Sequence, residues 1–330
     1  MSSAHKASTL AEQVAVKESS ENEYISVFYP DKMGNAADIA YGGCTIAIGI
    51  SAAYKTVASQ YHAYSISGHY LGPATDDRCI YAKLTKLRDT RTFATRFVEL
   101  SQEQDDGTRR KCAVMIADFQ RQEPASLLEY TTSPTRIYSS IEACPTRDEM
   151  NAEMIREGKI TSKQAKVQGV IFGLMTRFFE GRAVPESIFS QNLYGIAKSL
   201  PTSQDNVPFV KKTSADWVRA KAPLRSEGDQ IAGLAWWMDG ALSFLPLSHN
   251  HMFLEDAAAC SSLDFSLRIF SNKIDLCNWH LKEMMTSHGG EGRTYSEARA
   301  WDTEGKMVAC MTQQSILRPF KKDTKSRSVL

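Results

Sequence analysis

Asp239 is the residue of this sequence that is best placed to do chemistry. It lies in the apolar segment 234–245, next to two consecutive tryptophans. A carboxylate buried among apolar side chains is costly unless hydrogen bonds or a counter-charge compensate it, and such groups are candidate general bases. Asp239 also precedes Gly240, and an Asp-Gly pair is typical of an exposed turn that ends a helix. On the residues alone, both interpretations stay open.

Gln313 and Ser262 are the next polar residues in apolar surroundings. Gln313 lies in the segment 307–318, which alternates like a strand but has no cleanly polar face. A buried amide there needs hydrogen-bond partners, whereas a glutamine on an exposed edge strand needs none, and the strand by itself slightly favours the exposed position. Ser262 opens the segment 262–270, and taken alone it has the character of a turn hydroxyl.

Other residues give weaker signals. Cys44 follows two glycines near a helix start, where a thiolate is stabilised, although a core thiol is the commoner case. His249 and His251 could begin a metal site, but no matching ligand set accompanies them, so we expect neither a metal nor a cofactor. Arginines at matching turns of the chain could contact a phosphorylated ligand, although solvated charges are commoner: Arg88, Arg91, Arg96 and Arg293.

The elements that must position these residues occur twice. A first copy runs over 38–118 and a second over 229–313, each with a helix that is apolar almost all round, followed by several strands. This period is far too long for a solenoid, so we interpret it as two fused copies of one domain. Because short turns join the strands, the sheets are antiparallel. We predict an α+β fold in which each antiparallel sheet wraps around a long buried helix.

The predicted boundaries follow from changes in composition. The first residues are rich in serine and charge, and the chain turns polar, with prolines at 124, 134 and 145, after the first copy. We expect a disordered tail at 1–20, a first domain at 21–121, a linker at 122–170, a second domain at 171–318 and a basic tail at 319–330. The predicted strands are 61–71, 80–85, 92–101 and 111–121, then 177–187, 217–220, 262–270, 279–286, 293–301 and 307–318, with a turn at 87–91 and an inserted loop or lid at 192–206.

Composition excludes several classes of function. The 330 residues carry 39 basic and 38 acidic side chains, so no global basic field is available to bind nucleic acid. The 7 cysteines are scattered without metal-ligand spacing, which fits a reducing compartment. No apolar run is long enough to span a bilayer, so we expect no integral membrane segment and a cytoplasmic protein. The C-terminal residues 328–330 read Ser-Val-Leu, a weak variant of a peroxisomal address, which gives a second location.

Taken in order, these pieces resemble the acyl-CoA thioesterase II family, whose members are double hot-dog proteins. The resemblance covers about 35–121 and 217–318 and depends on short motifs at fixed spacing. In the first copy the motifs are 41–43, 69–73, 87–96 and 117–120. In the second copy they are Asp239 followed by 244–246, then 262–264, and Gln313 five residues before Arg318.

The resemblance implies a catalytic trio of Asp239, Ser262 and Gln313. It implies hydrolysis of an acyl-CoA, or of a related thioester such as a polyketide of fungal secondary metabolism, to a carboxylic acid and a thiol. Water would attack directly, without a covalent enzyme intermediate. Ser262 stands where threonine is usual, which keeps the hydroxyl and loses the stiff β-branch. Cys44 and Gln314 replace a usual glutamine and a usual glutamate.

The resemblance also implies substrate contacts and partners. Family members commonly pair their sheets, so we expect a homo-oligomer. From the duplication itself, and not from the resemblance, Asp118 is predicted to match Gln313 in the first copy, which would leave the second copy as the active half. Two alternatives stay open: a thioester dehydratase or isomerase with a histidine base, and a non-catalytic protein that binds acyl thioesters. The predicted substrate-binding residues are Gly42, Gly43, His69, Arg88, Arg91 and Trp237.

Overall fold

The structure, a computed structural model, describes residues 6–34 and 37–321. Within these residues the strands are β1 Val16–Ser20, β2 Glu23–Ser26, β3 Tyr61–Tyr70, β4 Tyr81–Asp89, β5 Phe93–Glu103, β6 Arg109–Arg121, β7 Phe179–Ala183, β8 Ser214–Ala220, β9 Ala259–Ser262, β10 Asp264–Ile269, β11 His280–Gly290, β12 Arg293–Asp302 and β13 Met307–Arg318. The α-helices are α1 Leu10–Gln13, α2 Gly42–Tyr54, α3 Arg147–Arg156, α4 Ser162–Ile171, α5 Gly173–Phe178, α6 Ile188–Asn192, α7 Glu227–Met238 and α8 Leu245–His249. Short 3₁₀ turns lie at Ile141–Ala143, Leu193–Gly195, Phe209–Lys211 and Leu254–Asp256.

The sheet has the same strand order when it is followed from either end. Its first half runs β1-β2-β4-β5-β6-β3 and its second half β7-β8-β11-β12-β13-β10, with all neighbours antiparallel. The halves join edge to edge through β3 and β10, and β9 pairs with β13 beside the joint. The predicted α+β double hot dog is therefore confirmed, with its two sheets fused into one continuous surface.

The strand registers show which residues of the two copies are equivalent. At the joint, Ser67 of β3 pairs with Ser266 of β10. Ser67 pairs with Ile116 of β6, and Ser266 pairs with Thr312 of β13, so Ile116 and Thr312 are equivalent. Irregularities recur at the same places, between 86 and 88 and between 286 and 288, and again at 100–101 and 300–301. The duplication therefore extends to single residues.

Helices α2 and α7 form the centre of the molecule and pack antiparallel. All α2 residues from Gly43 to Ala53 are buried, as expected for a helix enclosed by a sheet on one side and a second helix on the other. Near the start of α2, the Tyr41 ring contacts the Trp236 ring edge-on with centroids 5.0 Å apart. Near its end, Tyr54 lies against Gly228 at the start of α7. Each helix therefore begins where the other ends.

The chain outside the two copies is more ordered than predicted. The disordered tail expected at 1–20 is wrong for its described part, because α1 buries Leu10 and β1 pairs with β2 at the sheet edge. The linker 122–170 contains α3 and most of α4, and the Trp301 indole donates to the Thr132 carbonyl at 2.7 Å. Residues 322–330, with the Ser-Val-Leu terminus, lie outside the described residues.

Smaller differences concern element bounds. Strand β4 continues to Asp89, so the turn expected at 87–91 is shorter, and β7 occupies only the middle of the segment 177–187 because α5 precedes it. The loop expected at 192–206 begins with a 3₁₀ turn, whose last residue, Gly195, donates its N–H to the buried Asn192 side chain. The Asn192 amide in turn donates to the Ser248 carbonyl of α8. Among the residues that the structure describes, no helix has the length and apolar character needed to cross a membrane.

Gly43 allows the close approach of α2 and α7, which leads to a first prediction. A Cβ on residue 43 would lie 2.8 Å from the Trp236 carbonyl oxygen and 2.5 Å from the Tyr41 ring. We expect Gly43→Ala to destabilise the protein by about 1–3 kcal/mol, because backbone cannot move aside as a flexible side chain can. Gly169 in α4 has no atom within 4 Å of such a Cβ. Gly169→Ala should therefore leave stability equal or raise it by up to about 1 kcal/mol in urea unfolding, and equal effects of the two substitutions would contradict this packing.

Candidate active site

A cavity of about 480 Å³ opens where α2 begins and α7 ends. Both copies contribute to its wall: Tyr41, Gly42 and Tyr70 come from the first, and Asp239 and Ser262 from the second. The remaining wall is mainly apolar and includes Met33, Ile39, Phe172, Phe244, Leu254, Leu263 and Ile316. A mostly apolar pocket with a few convergent polar groups is typical of a small-molecule site.

Asp239 is the C-cap of α7, and only 6% of its surface is exposed, which excludes the exposed-turn interpretation. Its Oδ1 accepts a hydrogen bond from Gln313 Nε2 and another from the Tyr70 hydroxyl at 3.2 Å. The carboxylate also accepts from the backbone N–H of Gly43. Asp239 therefore lies at the N-terminus of α2, where free N–H groups and the helix dipole stabilise negative charge.

Gln313 connects Asp239 to Ser262. It lies on the inner face of β13 and is 1% exposed, so the edge-strand interpretation is excluded as well. An ionised carboxylate can only accept hydrogen bonds, so the amide nitrogen must face Asp239 and the amide oxygen must face away. That oxygen accepts from Ser262 Oγ at 3.0 Å. The structure thus brings together the three residues of the predicted trio in one hydrogen-bonded chain.

The surroundings of Asp239 set its acidity. Burial raises the pKa of Asp239 above its ordinary value, and the hydrogen bonds from Gln313 and Tyr70 oppose that rise without cancelling it. Burial, and after it the charge of Asp239, raise the pKa values of Tyr70 and Tyr41 well above 10.0. Both phenols stay protonated and available as donors. A buried carboxylate with a raised pKa is suited to accept a proton from water.

Two tyrosines of the site were missed by the sequence analysis, which selected His69 instead. Successive strand residues point to opposite faces. Tyr70 faces the cavity, and His69 is exposed on the outer face of the sheet, opposite Asp264 of β10. The predicted substrate contact of His69 is therefore wrong. Tyr41 lies in a quoted motif, and its hydroxyl donates to the Trp236 carbonyl at 2.7 Å.

The structure places three further predicted contacts away from the cavity. The Arg88 guanidinium stacks over the Phe93 ring and lies 3.4 Å from the Asp118 carboxylate. Arg91 is exposed at the turn between β4 and β5. Trp237 is buried in the core on another side of α7. None of these three side chains lines the cavity. Of the predicted contacts, Gly42 lines it, and Gly43 contributes its N–H to Asp239.

The predicted equivalence of Asp118 and Gln313 is also wrong. Because Ile116 matches Thr312, the residue that matches Gln313 is Ala117. Asp118 points to the outer face, as the alternation of burial along β6 shows. By the same registers Phe119 matches Ser315; Phe119 pairs with Ala63 and Ser315 pairs with Ser262, so Ala63 matches Ser262. The first copy therefore has alanines where the second has the amide and the hydroxyl.

The helices complete this contrast. The N-caps of α2 and α7 are equivalent, which matches Tyr54 to Asp239 and Glu227 to Gly42. The Tyr54 hydroxyl donates to Glu227 Oε1 at 3.0 Å, and Glu227 Oε2 lies 2.7 Å from His62 Nδ1. At this junction the bonded side chains of Glu227 and Tyr54 therefore fill the space whose equivalent, beside Asp239, is left open by Gly42 of the first copy. Of the two helix junctions in the described part of the chain, only the one at Asp239 combines a carboxylate with an amide and a hydroxyl. Both copies build it, so the division is not one active half beside a structural half.

The weaker signals have structural explanations. The Cys44 thiol is buried 3.1 Å from the Trp236 indole nitrogen, and burial raises its pKa to about 12, so it is a core thiol. His249 lies 3.0 Å from the Ser214 hydroxyl, and His251 lies 2.8 Å from the Asp205 carboxylate, so the two rings do not converge. No cluster of side chains able to hold a metal occurs among residues 6–34 and 37–321.

Comparison with known families agrees with this architecture. The acyl-CoA thioesterase N-terminal domain family matches residues 29–120, and the acyl-CoA thioesterase C-terminal domain family matches residues 176–317. Together the matches cover more than half of the chain. The chain belongs to the acyl-CoA thioesterase II family. As a member of this family it is a thioester hydrolase.

Solved structures of this fold lie at low sequence identity. The acyl-CoA thioesterase II TesB2 from Mycobacterium marinum is 18% identical, with a TM-score of 0.66 over 94% of this chain and 98% of that chain. A putative thioesterase II from Thermobifida fusca is 15% identical, with a TM-score of 0.67 over 93% and 98%. These likenesses show the fold alone. No curated protein matches the chain, and a role in fungal secondary metabolism stays a prediction.

The hydrogen bond from Tyr70 to Asp239 leads to a second prediction. A bond donated to a carboxylate stabilises its charged form, so Tyr70→Phe should raise the pKa of Asp239 above its value in the natural protein. Carbon-13 NMR of labelled aspartate carboxyl groups, with the Asp239 signal assigned by its loss in Asp239→Asn, measures this shift. Tyr64→Phe on the same strand is the control, because Tyr64 contacts Phe93 and not the cavity. An unchanged titration in Tyr70→Phe would contradict the assigned bond.

Proposed function

We propose that this protein hydrolyses acyl-CoA thioesters by the direct attack of a water molecule that Asp239 activates. The observation that supports this most is the hydrogen-bonded series Ser262–Gln313–Asp239, in which Ser262 and Asp239 line an apolar cavity and the buried Gln313 joins them. A base oriented by a second group beside a substrate-sized pocket is the arrangement that hydrolysis requires.

In the proposed reaction, Asp239 accepts a proton from water as the water oxygen attacks the thioester carbonyl carbon. Ser262 and Gln313 orient that water, which lowers the barrier by positioning. The carbon–sulfur bond then breaks, the proton held by Asp239 passes to the leaving thiolate, and the carboxylic acid is released. The negative charge that develops on the carbonyl oxygen is stabilised by the backbone N–H of Gly42 at the start of α2; losing such a donor costs about a hundredfold or more in rate.

The cavity favours an apolar acyl group over a charged one. Its walls come mainly from apolar residues, and a volume of about 480 Å³ is within the usual range of small-molecule sites. We therefore propose an acyl-CoA, or a related thioester such as a polyketide, as the substrate. Homo-oligomer formation and a cytoplasmic or peroxisomal location stay predictions.

The dehydratase or isomerase alternative is not supported by the site. That chemistry needs a histidine in the acyl tunnel, and His69 is on the outer face of the sheet. No histidine occurs among the described residues that line the cavity. A non-catalytic binding protein would bind acyl-CoA without releasing free thiol, so a thiol-release assay across acyl chain lengths separates it from a hydrolase.

Asp239→Asn tests the proposed base. We expect kcat for free-thiol release to fall by about a thousandfold, because asparagine cannot accept the proton from water. Asp118→Asn is the matched control, since Asp118 is an aspartate on the outer face of the equivalent strand and should be dispensable for turnover. Retained turnover in a normally folded Asp239→Asn variant would show that Asp239 is not the base.

Substitutions of Ser262 test the hydrogen bond between its hydroxyl and the Gln313 amide. Ser262→Ala removes the hydroxyl that donates to Gln313, and we expect kcat to fall by about tenfold or more with little change in KM. Ser262→Thr keeps the hydroxyl and restricts its rotation, so its kcat should equal or exceed that of the natural protein. Steady-state kinetics on one acyl-CoA compare the three proteins. If alanine and threonine variants lose activity equally, the hydroxyl has no role in turnover.

A further inference from the structure

Lys282 is a buried charge that the proposed mechanism does not use. It lies on β11 and is 2% exposed. Its ammonium donates to the carbonyl of Trp237 at 3.3 Å and to the carbonyl of Gly240 at 3.5 Å. In the chain, Trp237 lies two residues before Asp239 and Gly240 directly after it.

We propose that Lys282 is a positioning residue of the hydrolase site, which fixes the turn that carries Asp239 and favours the ionised form of its carboxylate. This inference depends on the proposed role of Asp239 as the base. It concerns a residue on a different strand from the trio, whose ammonium contacts the backbone on either side of the base.

The first part of the role is mechanical. The last carbonyls of a helix have no partner within the helix, and a cation there satisfies them and interacts favourably with the dipole. Helix α7 ends at Met238, and the following turn is tight, since Ala241 has φ +82°. The bonds from Lys282 join the last turn of α7 to this turn on both sides of Asp239. Besides these bonds, the turn is held by the backbone N–H groups of Asp239 and Gly240, which donate to the carbonyls of Ala235 and Trp237, so Lys282 provides the side-chain contacts that tie it to the sheet.

The second part is electrostatic. The charged groups that face Lys282 are Asp239 and Asp216, which is its direct partner across β8 and β11. Arg147, at the start of α3, also acts on the charge of Asp216 and lines the same small cavity as Asp216 and Lys282. Burial lowers the pKa of Lys282, and the two carboxylates oppose that change. Conversely, an ammonium beside a buried carboxylate favours ionisation of that carboxylate.

A matched comparison of two buried lysines tests the proposal. Lys212 is 8% exposed, and its ammonium donates to the His249 carbonyl at the end of α8, away from the cavity. Lys282→Met and Lys212→Met each replace a buried ammonium at a helix end by an apolar chain of similar length. Both variants are compared with the natural protein in thermal unfolding and in the pH dependence of acyl-CoA hydrolysis.

For Lys282→Met we expect kcat to fall by about tenfold or more, with KM changed by less than about threefold. The acidic limb of its kcat profile should move to higher pH by about half a unit or more, because Asp239 then binds its proton more tightly. Lys212→Met should keep the kcat and the acidic limb of the natural protein. If Lys282→Met and Lys212→Met have the same kcat and the same acidic limb in their pH profiles, Lys282 has only a structural role.

Two further variants distinguish a failure of the proposed function from a failure of the inference about Lys282. If Asp239→Asn retains turnover, the proposed function fails; if it is inactive while Lys282→Met is unimpaired, only the present inference fails. Should Lys282→Met not fold, Asp216→Asn keeps the lysine and removes a charge that helps it stay protonated. The alkaline limb of the kcat profile should then move to lower pH, and an unmoved alkaline limb would overturn the proposal.

Discussion

The antiparallel packing of α2 and α7 is the constraint on which the site depends. Because each helix begins where the other ends, the carboxylate that ends α7 meets the free N–H groups that begin α2. For this, the backbones of α2 and α7 must approach closely, and Gly43 permits the approach because it has no side chain to contact the Trp236 carbonyl. The sheet then closes around both helices and brings Gln313 and Tyr70 to the same carboxylate from two different strands. Neither copy alone could build this environment.

The duplication provides two places where a helix end meets a helix start, and only one of them is an open polar site. In the open place the helix starts with Gly42, which has no side chain to fill the space beside Asp239 and the Tyr70 hydroxyl. In the other place Glu227 takes that position and bonds to Tyr54 and His62. A second cavity of about 320 Å³ remains beside this cluster. It lacks equivalents of the amide and the hydroxyl, because both positions are alanine. Both junctions therefore have a cavity beside them, and they differ in the polar side chains that are present there.

The sequence was sufficient to predict the fold because the duplication and the strand alternation are local patterns. The two enclosed helices and the antiparallel sheets follow from these patterns, whereas the trio of Asp239, Ser262 and Gln313 follows only from the resemblance to the thioesterase family. What failed depends on geometry. His69 and Tyr70 are adjacent, and only the register of β3 decides which one faces the cavity. Asp118 was matched to Gln313 by counting along the strands, and a shift of one residue moved it to the opposite face of the sheet.

Contacts between segments that are far apart in the chain could not be predicted from the sequence either. The N-terminal segment lacks a clear helical or strand periodicity of apolar residues, yet Leu10 packs into the core and β1 pairs with β2 at the edge of the sheet. Lys282 lies between Leu281 and Glu283 in a strand without strict alternation, and nothing in that segment of the sequence indicates a buried ammonium. Tertiary contacts decide these positions, because burial of a charge is tolerated only where partners converge from several elements. Here the partners come from α7 and β8, which are separated from β11 in the chain.

The raised pKa of Asp239 shows how these parts act together. Burial alone can raise the pKa of a carboxyl group by about 3–5 units, whereas two or three donated hydrogen bonds can lower it below its ordinary value. Asp239 has both, and burial is the larger effect. A carboxylate with the donors but without the burial would be a weak base, and one with the burial but without the donors would stay protonated near neutral pH. The donors come from both copies, so the balance that makes Asp239 a suitable base is a property of the joint between them.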